Sequence, residues 1–192
     1  GQTIIVGAIV IVSSAGLMSG YKAWDQNADQ NATKHLFQTI ESNTDSNSFK
    51  NLKKIMGPNH AAIALSKKAE TLLKNQEIEK ALTLYQEIIN SNAPRNMKDI
   101  SRLLYARHAT DDPETLNILK PILDRKDSPW LWQARIEEAS FYAHKKNDYE
   151  TALDVLSLFK QDITVPKSLK ERAKSLQIVY KLKLEKMKSD QS

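Results

Sequence analysis

Between residues 61 and 90 apolar side chains return every three or four positions, at Ala62, Leu65, Ala69, Leu72 and Leu73, then at Ile78, Ala81, Leu82, Tyr85, Ile88 and Ile89. That period lines up one face of an α-helix. Asn75-Gln76 falls between the two runs, where the chain is expected to turn, so the segment predicts two short amphipathic helices packed on each other. A small residue late in the first helix (Ala69) and another early in the second (Ala81) let the backbones approach closely. A bulky residue one turn later (Tyr85) fills the space beside them, which is the pattern of a tetratricopeptide unit. Pro94 stops the second helix because it cannot continue the hydrogen-bond ladder.

The same order returns between 130 and 159, with Ala139 or Ser140 late in one helix, Ala152 early in the next and Leu156 a turn on. Ala81 and Ala152 stand 71 positions apart, close to two repeats of about 34 residues, so a third unit belongs between them. Met97–His108 and Pro113–Leu123 supply it in degenerate form. Pro113 suits a first helical position, and Pro121 is expected to shorten or kink its helix. After Val165-Pro166, apolar residues at Leu169, Ala173, Leu176, Tyr180, Leu184 and Met187 mark a long closing helix whose charged outer face would cap the array. The predicted fold is all-α: a right-handed, tetratricopeptide-repeat-like α-solenoid of about three helix pairs with a C-terminal capping helix, over residues 59–192.

The N-terminal pattern is of another kind. No charged side chain occurs from Gly1 to Tyr21, and Ile4, Ile5, Val6, Ala8, Ile9, Val10, Ile11 and Val12 form a dense apolar run. Twenty-one helical residues reach roughly 30 Å, the thickness of a bilayer's hydrocarbon core. Tyr21 and Trp24 sit beside Lys22 and Asp25, as rings and first charges do at a membrane interface. Residues 1–24 are therefore expected to be a transmembrane anchor, with Gly16 and Gly20 spaced for close contact with another membrane helix. The alternative is a signal peptide cleaved near Ser13-Ser14-Ala15. Residues 25–58 read as a stalk helix and linker: Ala28, Ala32, Leu36 and Ile40 recur along Asp25–Ile40. A polar loop over 41–48, a short helix near Phe49–Met56 and a stop at Gly57-Pro58 then follow. Few positive charges follow the span, which favours a soluble domain outside the cytoplasm.

Charge adds little to this picture. The net charge of +5 is concentrated in residues 167–188, which carry eight bases and two acids, and the rest of the chain is nearly neutral. A solvated helix explains that better than a nucleic-acid surface. Four of the five glycines lie in the first twenty residues, so glycine-rich loops that cradle phosphate are excluded. With no cysteine there is no thiolate site or disulfide. His35, His60, His108 and His144 lack metal-ligand spacing. Glu137-Glu138 and Asp111-Asp112 are neighbours that would point apart on a helix, giving solvation or capping rather than acid/base work. Trp130 and Trp132 are expected at a repeat junction. No catalytic set, cofactor, metal or small-molecule substrate is expected.

Several short strings, Tyr21-x-x-Trp24 after a Gly-containing span and Asn75-Gln76-Glu77-Ile78-Glu79-Lys80-Ala81 at the first repeat turn, accompany this architecture. In them the chain resembles the ancillary Sec-translocon subunit family (YfgM-like): single-span inner-membrane proteins with a periplasmic tetratricopeptide-like domain. It also looks like repeat proteins of intracellular alphaproteobacteria. The resemblance departs at Pro121, in the degenerate middle unit, and where Ala or Ser replaces glycine. It implies a bacterial inner-membrane, periplasm-facing adaptor of the chaperone network whose partners are proteins, such as translocon subunits or a membrane-anchored periplasmic chaperone.

In such repeats the first helix of each pair lines the inner groove. The register assigns Glu70, Leu73 and Lys74 to that groove in the first unit, Arg107 in the middle one, and Glu137, Phe141 and His144 in the third. Phe141 has an alternative place, packed beneath the capping helix. Ser66 and Glu70 stand where a carboxylate-clamping repeat would need a base and an amide, so the groove suits protein segments of mixed character. The expected function is a non-enzymatic, membrane-tethered protein-interaction module. The alternative is an exported, soluble scaffolding protein.

Overall fold

The computed structural model describes residues 48–109 and 114–190. Among the described residues every regular element is an α-helix: α1 (Ser48–Lys74), α2 (Ile78–Asn90), α3 (Arg95–His108), α4 (Thr115–Leu123), α5 (Leu131–Lys145), α6 (Tyr149–Gln161) and α7 (Lys167–Ser189). The all-α class follows from the apolar period. No helix among the described residues is long and apolar enough to cross a membrane. The expected anchor at 1–24, with Gly16 and Gly20, the stalk up to residue 47, and Asp111-Asp112 lie outside the described residues.

The break expected at Gly57-Pro58 is present inside α1. Gly57 has φ 79° and ψ 167°, a backbone that side-chain-bearing residues rarely adopt. An added Cβ there would meet nothing within 4 Å, so the backbone angle, not crowding, is what requires glycine. Pro58 then starts the second stretch at a position where its missing N–H costs nothing. Leu52, before the break, is buried, as are Ala61, Ala62, Ala64, Leu65 and Ala69 after it.

The turn from α1 to α2 ends the helix through paired bonds: Glu77 N–H donates to the Leu72 carbonyl at 2.9 Å and Gln76 N–H to that of Leu73 at 3.1 Å. Gln76 takes the left-handed conformation this closure needs, φ 63°. At the start of α6 the Oδ1 of Asp148 accepts from Thr151 N–H at 2.9 Å, satisfying a donor that the helix start leaves free.

Each helix packs against the next one in the chain. In addition α1 touches α3, α3 touches α5 and α5 touches α7, while the even helices do not touch one another. The odd helices therefore make one continuous layer and the even helices lie outside it. Ala81 and Ala152, placed by register at the closest approaches, have no exposed surface, and Ala69, Tyr85, Ala139 and Leu156 are buried with them. Leu103, Leu119, Ile122 and Ala134 join α3, α4 and α5, and Trp130 covers them. Ile136, Ala139, Ala143, Ala152, Leu156 and Phe159 join α5 to α6. The ring of Trp132 meets that of Phe159 edge-on, centroids 4.9 Å apart. Trp130 thus packs at the junction of α3–α4 with α5, whereas Trp132, expected at such a junction, packs within the α5–α6 pair.

Pro121 lies in the last turn of α4, a helix of nine residues. A polar tie holds that end. Asp99 on α3 accepts from Arg102 at 3.1 Å and, through its other oxygen, from Arg125 beyond α4. Arg125 in turn gives its Nε–H to the Pro121 carbonyl at 2.8 Å.

The closing helix α7 packs Leu169, Ala173, Leu176, Tyr180 and Leu184 onto the α5–α6 core, as its period predicts. Its outer face departs from the expected charged surface. Ile178, Val179 and Leu182 are about half or more exposed, at 54%, 48% and 61%, and Met187 is exposed with them.

Candidate functional site

The layer of odd helices carries the residues assigned to the groove, and it brings several of them together. On α1, Glu70 sits between Lys67 and Lys74, each 2.9 Å away. Partial burial raises its carboxyl pKa, but hydrogen bonds and attraction from the two ammonium groups outweigh that and hold it below the ordinary value. Leu73 is half-buried and Lys74 exposed. Tyr85 lies within electrostatic reach of both Glu70 and Arg107, and burial, reinforced by Glu70, pushes its phenol well above the ordinary range.

Arg107 on α3 reaches Glu137 on α5. Its Nη2 stands 2.6 Å and its Nε 3.2 Å from the same carboxylate oxygen, Oε1. Gln133, one turn earlier on α5, donates to that oxygen at 2.9 Å. Side-chain exposure is 15% for Arg107 and 5% for Glu137, so the pair is largely withdrawn from water. A charge-assisted bond in such a place is stronger than one on the surface.

The network continues to α7. Arg172, half-buried, feels both the Glu137 carboxylate and the Arg107 guanidinium, and burial lowers its pKa. Tyr180 bonds to Ser140, and its hydroxyl lies 3.4 Å from His144 Nε2. The His144 and Tyr180 rings meet edge-on at 5.6 Å. Burial, together with Lys145 and Lys183, keeps the His144 imidazole less basic than usual. His108, beside Arg107, is shifted the same way by burial first and that guanidinium second.

Two assignments need correction. Glu137 and Phe141 were expected to face a partner across an open groove, and both are buried, at 5% and 6% exposure. Glu137 is drawn in by Arg107 and Gln133 rather than left to water, and the solvating role expected of the Glu137-Glu138 pair fails for it. The Phe141 ring is closed off by Tyr142 edge-on at 5.9 Å and by the Lys146 ammonium 5.8 Å above its face. Lys74 and His144 are exposed and Glu70 and Leu73 half-buried, while Arg107 is mostly enclosed by its bond to Glu137.

Sequence reasoning missed Gln133, Ser140, Arg172 and Tyr180 as members of this network. Arg172 carried a usable signal. It is the one arginine among the eight bases of 167–188, and a guanidinium suits a half-buried place near a carboxylate better than an ammonium does. Among the described residues no group of three or more His, Asp or Glu side chains is placed to hold a metal ion. No family model, no curated protein and no solved structure matches this chain.

Proposed function

We propose that the chain is a membrane-tethered, non-enzymatic protein-interaction module whose odd helices line a groove for segments of partner proteins. The observation that carries this reading is the layer itself. The odd helices touch in succession and the even ones do not, which is how the first helices of stacked pairs line the inner face of a tetratricopeptide-like, right-handed solenoid. In this reading α1–α2, α3–α4 and α5–α6 are the three pairs and α7 is the cap. The buried Arg107–Glu137 pair fixes the spacing between the second and third units. Glu70, Lys74 and His144 offer charged and polar groups of both signs and Leu73 an apolar contact, a mixed surface suited to peptide segments.

The membrane tether rests on the uncharged run from Gly1 to Tyr21, which has no cheaper environment than lipid. Placement of the soluble part in the periplasm, and partners drawn from the translocon and its chaperones, rest on the resemblance to ancillary Sec-translocon subunits. The second reading, an exported soluble scaffold, is favoured by Ser13-Ser14-Ala15 alone.

Two measurements test the proposal. Carbonate extraction of native membranes should leave the protein in the pellet, and release with a mature N-terminus near Gly16 would select the exported scaffold. A photocrosslinking residue at Lys74 or His144 should capture partner proteins that one at Glu114, on the first turn leading into α4, does not. Equal capture from both faces would sink the groove.

A further inference from the structure

The structure holds a second polar site, between the first turns of α3 and the end of α4. At the start of α3 and the end of α4 an open cavity of about 360 Å³ is lined by Arg95, Lys98, Arg102, Arg125 and Asp99, with Pro121 at its edge. Four cations thus face a single carboxylate. That carboxylate is already committed: Asp99 is nearly inaccessible at 3% exposure, and each of its oxygens takes one arginine. Arg95 and Lys98 have no ion pair among the described residues.

The bonds to Asp99 do not exhaust the arginines. A guanidinium has five N–H donors. Arg102 spends one of them on Asp99, and Arg125 spends two, on Asp99 and on the Pro121 carbonyl. Asp99 therefore acts as a brace, holding two forked donors from different elements in fixed positions with N–H groups left over. A site built this way loses little side-chain freedom when an anion arrives. The first turn of the 14-residue α3 adds the positive end of its helix dipole at Arg95.

We propose that this cavity is a binding site for a phosphate-type oxyanion, held by Arg95, Lys98, Arg102 and Arg125. The charge selects the ligand. A single carboxylate would leave most of the excess positive charge unbalanced, whereas a phosphomonoester or pyrophosphate brings the two or more negative charges the lining calls for. Arginine forks match the tetrahedral oxygens of phosphate. Phosphate-cradling glycine loops are absent from this sequence, so the recognition uses side chains in their place. The site does not depend on the groove described above.

The same chemistry could reach the cavity as a soluble phosphorylated compound or as a phospholipid headgroup, and calorimetry on the full chain in non-ionic detergent separates them. Pyrophosphate and a water-soluble, short-chain phosphatidic acid, whose headgroup is a phosphomonoester, serve as the two probes. Pyrophosphate binding alone assigns a soluble phosphate source, and comparable binding of the lipid phosphomonoester assigns a lipid headgroup. In either case the double variant Arg95→Gln/Lys98→Gln should bind about ten-fold more weakly or worse. It should melt as the native chain does, because neither side chain braces the fold. The proposal is overturned if neither probe binds below about 1 mM, if the double variant binds undiminished, or if succinate binds as tightly as pyrophosphate.

Discussion

Arg107 and Glu137 stand thirty positions apart in the chain and 2.6 Å apart in space, tying α3 to α5 through a carboxylate oxygen that also takes Gln133. Removing either member leaves the other charge with little water. Glu137→Gln should therefore destabilise the domain by about 3 kcal/mol, because Arg107 and the nearby Arg172 then lose their counter-charge. Replacing both partners, as Arg107→Met with Glu137→Leu, should recover much of that loss. Urea denaturation of the three proteins decides it, and a double variant no better than the single one would mean that the pair is not energetically isolated from its surroundings.

Ala81 and Ala152 have no exposed surface and sit where paired helices come closest. Ala81→Leu or Ala152→Leu adds three carbon atoms where there is no free space and should cost about 1–3 kcal/mol each. Thermal melts of each variant test the repeat register directly, since an unchanged melt would place the close approach elsewhere.

Phe141 was a candidate for a partner contact, and its 6% exposure makes it a packing residue instead. Phe141→Ala should lower stability by about 3–5 kcal/mol. If the variant melts normally and loses a crosslinked partner, the burial described above is not the state that works in the cell.

His108 gives the molecule a pH dependence of known sign. Burial and Arg107 hold its folded pKa below the ordinary 6.5, so the unfolded chain takes up a proton first. The contribution is fully present above about pH 6.5, is lost as pH falls from there through the folded pKa, and is constant below it. The difference in stability between native protein and His108→Gln, followed from pH 7.5 to about 5, should trace that loss. A flat difference curve would show that His108 is no less basic than in the unfolded chain.

The helices were legible in the sequence because burial here follows the 3.6-residue period. Ala69, Ala81, Tyr85, Ala152 and Leu156 all fall on the buried stripe, and Gly57-Pro58 marks the break in α1. What the sequence hid is pairing at long separation. Nothing near Glu137 announces an arginine thirty residues earlier, and beside Glu138 it reads as one of two surface acids. Phe141 could be placed on either face because a ring at the edge of the stripe serves groove and core alike. Ile178, Val179 and Leu182 were overlooked because the lysines around them dominate the reading of α7.

The shortest helix has a mechanical meaning. Pro121 has no N–H to give to α4's ladder, so the middle of the stack is joined by a helix of nine residues with one rung missing. On either side stand well-packed blocks, α1 with α2 and α5 through α7. Two polar ties cross the packing around α4: Arg125 to Asp99, and Arg107 to Glu137. The contact between α3, α4 and α5 is therefore held by two ion pairs from its edges as well as by the apolar cluster of Leu103, Leu119, Ile122 and Ala134, so a charge lost at either pair is felt in how three helices meet.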